Sequence, residues 1–322
     1  MRILDESVDA AVFLLPGPKK NGQFYNDIKK LLIKDRPVPS QVVLLKTIQA
    51  GRGLRSICNK ILIQICAKVG GIPWTINNFP FSDRPTMIVG IDPYQKNMGG
   101  GKKVNILAFC ATMDRNFSKY WTTVRIQDFG QETGTQLQSC MTQALAEFKE
   151  ANKIEVENII FFRDGISDSQ RKAIEDLEVS ALRQVTGDRK MIFICVNKRI
   201  NARFYVGDNL KPNLPLTNPP AGTLIQSKVC GEKEFYLISQ KTLQGTASPS
   251  HFFILVNDFN SRKDQIQILC YKLCYMYYNW VGSIKIPAPI QYAQKLSNLI
   301  GDKFGNVKPN EVYGKRKSLY FI

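Results

Sequence analysis

TMIVGID, residues 86–92, is a short apolar run that closes on a carboxylate. Its length and β-branched content predict a buried strand, with Asp92 at the carboxyl end. NIIFFRDG (158–165) repeats the arrangement and sets Asp164 at the end of a second apolar strand. Between them, 104–113 and 120–129 flank the polar turn DRNFS and predict an antiparallel pair, and 131–151 predict a helix.

Ligands of open α/β sheets bind at the carboxyl ends of the strands. A carboxylate at the end of a buried strand is costly unless it is paired or holds a cation. Two on neighbouring strands can share divalent ions, which activate a water and stabilise the leaving oxygen of a phosphodiester. The order Asp strand, two antiparallel strands, helix, Asp strand is that of the ribonuclease H fold. Aspartates at strand-to-turn junctions also serve as plain turn or cap residues, so spacing alone leaves both roles open.

Outward from this centre, 169–184 predicts a helix and 191–196 a strand. A loop with NPPAGT (218–223), strands at 235–240 and 251–256, and helices at 262–279 and 290–300 follow. Upstream, a strand within 8–16, a helix at 25–34, a strand at 41–46 and a helix at 54–69 stopped by Gly70 and Gly71 give a βαβα pattern and a parallel sheet. The segment INNFPFSDRPT (76–86) has two prolines and no period. It marks a boundary between residues 1–80 and 81–322. In the helix at 54–69, Leu54, Ile57, Ile61, Ile65 and Val69 are expected to face the core. Lys60, Gln64 and Lys68, within about 80° of arc, form a polar face beside them.

The 322 residues carry 44 Lys and Arg against 27 Asp and Glu, a net charge of +17, with a single histidine, His251. Such an excess points to nucleic acid or an anionic surface. No apolar run is long enough to span a bilayer, and the first nine residues lack a signal-peptide pattern, so a membrane or secreted role is not expected. One histidine excludes zinc sites that need two and ties any Ser-His-Asp mechanism to His251. The eight cysteines form no CxxC pair and read as reduced, mostly buried thiols of the cytosol or nucleus.

The sequence resembles the MID and PIWI domains of the Argonaute family, in its Piwi clade. The likeness rests on TMIVGIDPY (86–94), IIFFRDGISDSQ (159–170), NKRINARFY (197–205), NPPAGT (218–223), QGTASPSHFFIL (244–255), CYKLCYMYYNW (270–280), IPAPIQYA (286–293) and the ending SLYFI (318–322). It implies a Rossmann-like MID domain at 1–80 and a ribonuclease H-like PIWI domain at 81–322. The implied role is RNA-mediated gene silencing with a small guide RNA, a complementary target RNA and Mg2+.

By the same resemblance, the guide 5′ phosphate would be held by Tyr25, Lys29, Gln41 and Lys68. Lys60 and Gln64 join them on one helix face, Gln64 near a divalent ion, and the carboxylate of Ile322 is expected to join them. A phosphate with close to two negative charges suits converging ammonium and amide donors. The catalytic set maps onto Asp92, Glu132 and Asp164, with Asp92 and Asp164 as metal ligands. The fourth position, a histidine in the family, is Gln294 here. Glutamine offers an oxygen to Mg2+ but no imidazole for proton transfer. Target cleavage is therefore expected to be impaired or absent, against a rival reading as an active slicer and another as a scaffold without guide.

Lys102, Lys103, Lys198, Arg199 and Arg203 are expected on nucleic-acid backbone, or as a solvated basic surface. The resemblance further implies that the family's N-terminal and PAZ regions lie outside this sequence, that guides are gripped by the 5′ end, and that proteins dock on the PIWI surface. Tyr277, Tyr278 and Trp280 read as core or interface residues, and KRKS (315–318) as a possible nuclear signal near the tail.

Overall fold

The computed structural model describes residues 8–17, 22–49, 51, 53–97, 103–128, 133–165, 167–207, 216–226, 230–304 and 307–322. At residues 97, 103, 127, 128 and 303 it describes the backbone alone. Glu132 and Lys102 thus lie outside the described residues, as does the Lys103 side chain.

The first 80 residues form β1 (Ala11–Leu15), α1 (Gly22–Lys34), β2 (Ser40–Leu44), the short α2 (Leu45–Gln49) and α3 (Leu54–Lys68). β1 and β2 pair in parallel, Ala11 against Ser40 through Leu15 against Leu44. A parallel pair needs a crossover, which α1 supplies by burying Ile28, Leu32 and Ile33. A small core of Ala11, Ile28, Leu32 and Val38 sits beneath it.

The remainder is built on one eight-stranded sheet. Its strands are β3 (Thr86–Asn97), β4 (Lys103–Thr112), β5 (Tyr120–Asp128), β6 (Asn158–Asp164), β7 (Lys190–Asn197), β8 (Thr223–Ile225), β9 (Glu234–Ile238) and β10 (Ser250–Asn257), in the order β5-β4-β3-β6-β7-β10-β9-β8. β3, β6 and β7 are parallel; β4, β5, β10, β9 and β8 join antiparallel. Period-two alternation divides the core between the two faces. Ile160 and Phe162 of β6 point into one cluster, Ile159 and Phe161 into the other. The second face is covered by α4 (Thr133–Asn152) and α6 (Ser180–Thr186), which follows a short α5 (Arg171–Ile174). The first is covered by α7 (Lys263–Leu273), α8 (Ala288–Asn298) and the tail after α9 (Val312–Lys315), and Ile33 and Ala67 join that same core.

Several elements differ from the sequence reading. β3 does not stop at Asp92 but runs on to Asn97 beside β4. Its pairing with β6 ends at Ile91 against Arg163, so Asp92 sits where the strand loses its parallel neighbour. The helix expected over 169–184 is present but passes through a π-helical turn, Glu175–Val179, that brings Glu178 inward. The helix expected over 262–279 closes at Leu273, because Tyr275, Met276 and Trp280 make tight-turn hydrogen bonds instead. β8 was not legible, being only three half-buried residues.

α3 is turned the other way from its apolar reading. Leu54 and Val69 are exposed, Ile57, Ile61 and Ile65 only half-buried, and Ala67 and Lys68 are the buried residues. The polar face of Gln64 and Lys68 looks inward, because it has polar partners there.

One glycine fixes the centre of the molecule. A Cβ on Gly90 would stand 2.2 Å from the carbonyl carbon of Pro289 and 2.5 Å from the nitrogen of Ile290. Only glycine lets the first turn of α8 cross β3 at that height, and this crossing carries Ser297 over Asp92.

Candidate functional site

Two cavities gather half of the candidate site residues. The first, of about 180 Å3, is lined by Tyr25, Lys29, Gln41, Gln64, Lys68, Asn279 and Ile322 among others. α1 supplies Tyr25 and Lys29 one turn apart, β2 supplies Gln41 as its second residue, and α3 supplies Gln64 and Lys68 one turn apart. Lys29 Nζ donates to the Ser40 carbonyl and to Ser40 Oγ, both at 2.8 Å, and Lys68 Nζ donates to the same carbonyl at 3.2 Å. From Lys68 a polar chain runs across the molecule. Lys68 Nζ donates to Gln41 Oε1 at 2.6 Å, Gln41 Nε2 to Gln64 Oε1 at 3.0 Å, and Gln64 Nε2 to Asn279 Oδ1 at 2.5 Å.

Both lysines are buried, and both donate to the Ser40 carbonyl. Burial lowers the Lys68 pKa to about 8, and burial raises that of Tyr25. Two ammonium groups and two side-chain amides on one wall make a donor set suited to a phosphate. The tail closes it. Leu319 N donates to the Ala67 carbonyl at 3.2 Å, Ser318 Oγ to the Lys68 carbonyl, and Leu319, Tyr320 and Phe321 are buried, which brings Ile322 to the cavity. Lys60 is not among the lining residues; its Nζ lies 4.9 Å from the ring centroid of Trp280, which is half-exposed.

The second cavity, of about 340 Å3, is lined by Asp92, Asn105, Arg163, Asp164 and Glu178 among others. Asp92 Oδ2 accepts from Ser297 Oγ on α8. Burial pushes the Asp92 carboxyl up; the Ser297 hydrogen bond, Lys198 and Arg163 oppose this, and the neighbouring Asp164 charge adds to it. Asp164 Oδ2 pairs with Lys198 Nζ at 2.5 Å. Arg163 is held in a buried pair with Glu178, Nη2 to Oε1 at 2.9 Å and Nε to Oε2 at 2.9 Å, and it also donates to the Asp164 carbonyl. Gln294 lies on α8, where its carbonyl accepts from Ser297 Oγ at 3.0 Å; its side chain is half-buried and is not among the lining residues.

His251 stands on β10, two strands from β6, with Nε2 3.0 Å from Glu234 Oε2. Of the cations expected on nucleic-acid backbone, Arg199 is exposed and Arg203 folds back on the Ile200 and Ala202 carbonyls at 2.7 Å.

A Piwi domain match spans residues 11–304. The chain belongs to the Piwi family. It is 37% identical over 280 residues to Protein argonaute-3 of Drosophila melanogaster, covering 86% of this chain and 31% of that protein. It is 35% identical over 290 residues to Piwi-like protein Ago3 of Bombyx mori, covering 88% and 30%. It is 33% identical over 336 residues to Piwi-like protein 1 of Gallus gallus, covering 100% and 37%. The chain thus spans about a third of the length of the curated relatives it matches. The crystal structure of Drosophila Piwi superposes with a TM-score of 0.85 at 29% identity, over 100% of this chain and 43% of that one. Kluyveromyces polysporus Argonaute with a guide RNA shares the fold, with a TM-score of 0.83 at 18% identity over 97% of this chain and 41% of that one.

The Piwi domain's sheet is therefore ribonuclease H-like, and the order expected from its two Asp strands stands. A divalent ion fits the acid cavity on its donor chemistry. Asp92 and Asp164 offer only oxygen, and Asn105 Oδ1 is buried there without a hydrogen-bond partner. Among the described residues no cluster of three His, Cys, Asp or Glu forms, and Glu132 is outside them. The Piwi domain also holds site residues the sequence reading passed over: Ser40, Asn279, Glu178 and Ser297. Ser297 lies one turn beyond Gln294, the one signal that pointed to it. No helix among the described residues is long and apolar enough to cross a membrane.

Proposed function

We propose that this chain anchors the 5′ phosphate of a small guide RNA and presents the paired target, within a silencing protein of the cytoplasm or nucleus. The observation that carries this reading is the convergence of Tyr25, Lys29, Gln41, Gln64 and Lys68 with Ile322 on one cavity. Residues 1–80 with the tail would form the guide-end unit and 81–322 the ribonuclease H-like unit. Lys29 and Lys68 would supply charge, Gln41 and Gln64 amide donors or an oxygen for Mg2+, and Tyr25 a stacking face for the first base. Lys60 then acts through Trp280 rather than on the phosphate. The exposed Arg199 and Arg203 would contact nucleic-acid backbone, and specificity for the target would come from base pairing.

The acid cavity is read as a slicer site of reduced power. Mg2+ bound by Asp92 and Asp164, with Glu132 as the third acid, would supply Lewis-acid chemistry there. Asp92 and Asp164 would hold the ion, and Ser297 fixes the Asp92 carboxylate. Gln294 has no imidazole to move a proton, so cleavage is slow or absent. The test is binding of 5′-phosphorylated against 5′-hydroxyl RNA. A clear preference for the phosphate, lost in Lys68→Ala, supports the reading; equal binding of both would remove it.

A further inference from the structure

Lys198 is the residue the expected backbone role does not absorb. β6 and β7 run parallel with Asp164 opposite Val196, and Lys198 lies two residues further along, on the same face. Its ammonium pairs with Asp164 Oδ2 at 2.5 Å, and the two side chains are only 19% and 9% exposed. This is not a loose arm. The Lys198 carbonyl accepts from Lys285 Nζ at 2.6 Å, and Lys285 is itself held by Ser248 Oγ at 2.8 Å. Arg163, adjacent in sequence to Asp164, is taken up by Glu178 and reaches only the Asp164 carbonyl. Among the described residues, Lys198 is thus the cation hydrogen-bonded to the Asp164 carboxylate.

We propose that Lys198 is a built-in counter-cation that competes with the divalent ion for Asp164 and so sets the affinity of the acid pair for that ion. The inference rests on the reading of Asp92 and Asp164 as the ion's ligands. An ammonium has three donors and one charge, and it uses the lone pairs a metal needs. In a half-buried cavity two cations on one carboxylate repel strongly, so the ion binds only as Lys198 swings away. The rest state is then an acid site already neutralised in part. An ion enters when an incoming phosphodiester offers the displaced ammonium another anion.

The test is Mn2+ binding to the full chain, read by the electron paramagnetic resonance signal of the free ion, without RNA. Lys198→Gln should bind Mn2+ roughly tenfold tighter than wild type or better. Lys198→Arg, which keeps the charge, should stay near wild type. Lys285→Gln, which frees the Lys198 backbone without touching either acid, should tighten binding to a lesser degree and serves if Lys198→Gln does not fold. Asp164→Asn should abolish binding in every background. Unchanged or weaker affinity in Lys198→Gln and Lys285→Gln, with binding still lost in Asp164→Asn, overturns the counter-cation and leaves the ion site standing. Mn2+ binding that is absent throughout, or that survives Asp164→Asn, overturns both.

Discussion

Lys29 and Lys68 donate to one acceptor, the carbonyl oxygen of Ser40, at 2.8 and 3.2 Å. One comes from α1 and the other from α3, and both are buried. Two ammonium groups on a single carbonyl repel, and burial denies them the water that would screen that repulsion. An anion that reaches both ammonium groups would relieve that repulsion, which is the physical basis of the phosphate site proposed above.

Lys68→Ala removes one charge-assisted partner of that anion. Its loss should cost about 2 kcal/mol, roughly 30-fold in affinity for 5′-phosphorylated RNA, with much less effect on 5′-hydroxyl RNA. Fluorescence anisotropy with the two oligonucleotides checks it.

The pH dependence has a definite sign. With its pKa near 8, Lys68 is charged at pH 7 and largely neutral at pH 9 in the free protein. A phosphate favours the ammonium, so binding takes up a proton, and affinity should fall as pH rises through 8. Titration of the phosphate is complete below this window and does not offset the loss. Stability runs the other way. Between about 8 and the ordinary lysine value the unfolded chain binds this proton and the folded one does not, so ligand-free stability from this group rises with pH across that window. Binding isotherms and thermal melts from pH 7 to 10 test both signs, and Lys68→Ala should flatten both.

Extending the chain past Ile322 places new residues at a cavity its side chain already lines. A short C-terminal tag should weaken phosphorylated-guide binding by tenfold or more, at the ceiling of one lost favourable contact. The same tag at the N-terminus should not.

Gln294→His restores an imidazole on α8, one turn before Ser297. Guide-loaded Gln294→His should cut a matched target about 100-fold faster than wild type in Mg2+, the lower end of what a positioned general acid or base contributes. Equal rates would show that the glutamine is not what limits cleavage.

Gly90→Ala should destabilise the protein by about 3 kcal/mol, as overpacking against backbone does. The added methyl would meet Pro289 and Ile290. Because α8 would then shift off β3, the Ser297 bond to Asp92 should be lost with it, which thermal unfolding and Mn2+ affinity together would report.

Much of the sheet was legible because strand signals are local. Apolar runs at 86–92 and 158–165 and the two strands between them need only their own composition to declare themselves. The ends were less legible. Asp92 reads as a strand terminus, yet β3 continues to Asn97 because β4 goes on pairing with it after β6 has stopped. α3 misled for the opposite reason. Its apolar arc is real, but Lys68, Gln64 and Gln41 satisfy one another in the interior and draw the polar face inward.

The sequence by itself determined the apolar strands that carry Asp92 and Asp164 and the basic excess, while its family resemblance suggested the pocket residues and a glutamine in place of a histidine. Only the tertiary structure decided what those residues touch. It gave Asp164 to Lys198, Asp92 to Ser297, Lys60 to Trp280, and Gln64 to Asn279, 215 residues away in the chain. Local pattern is written in neighbouring residues. The pairing of buried charges is a choice among distant partners, made where desolvation makes every unmatched group costly.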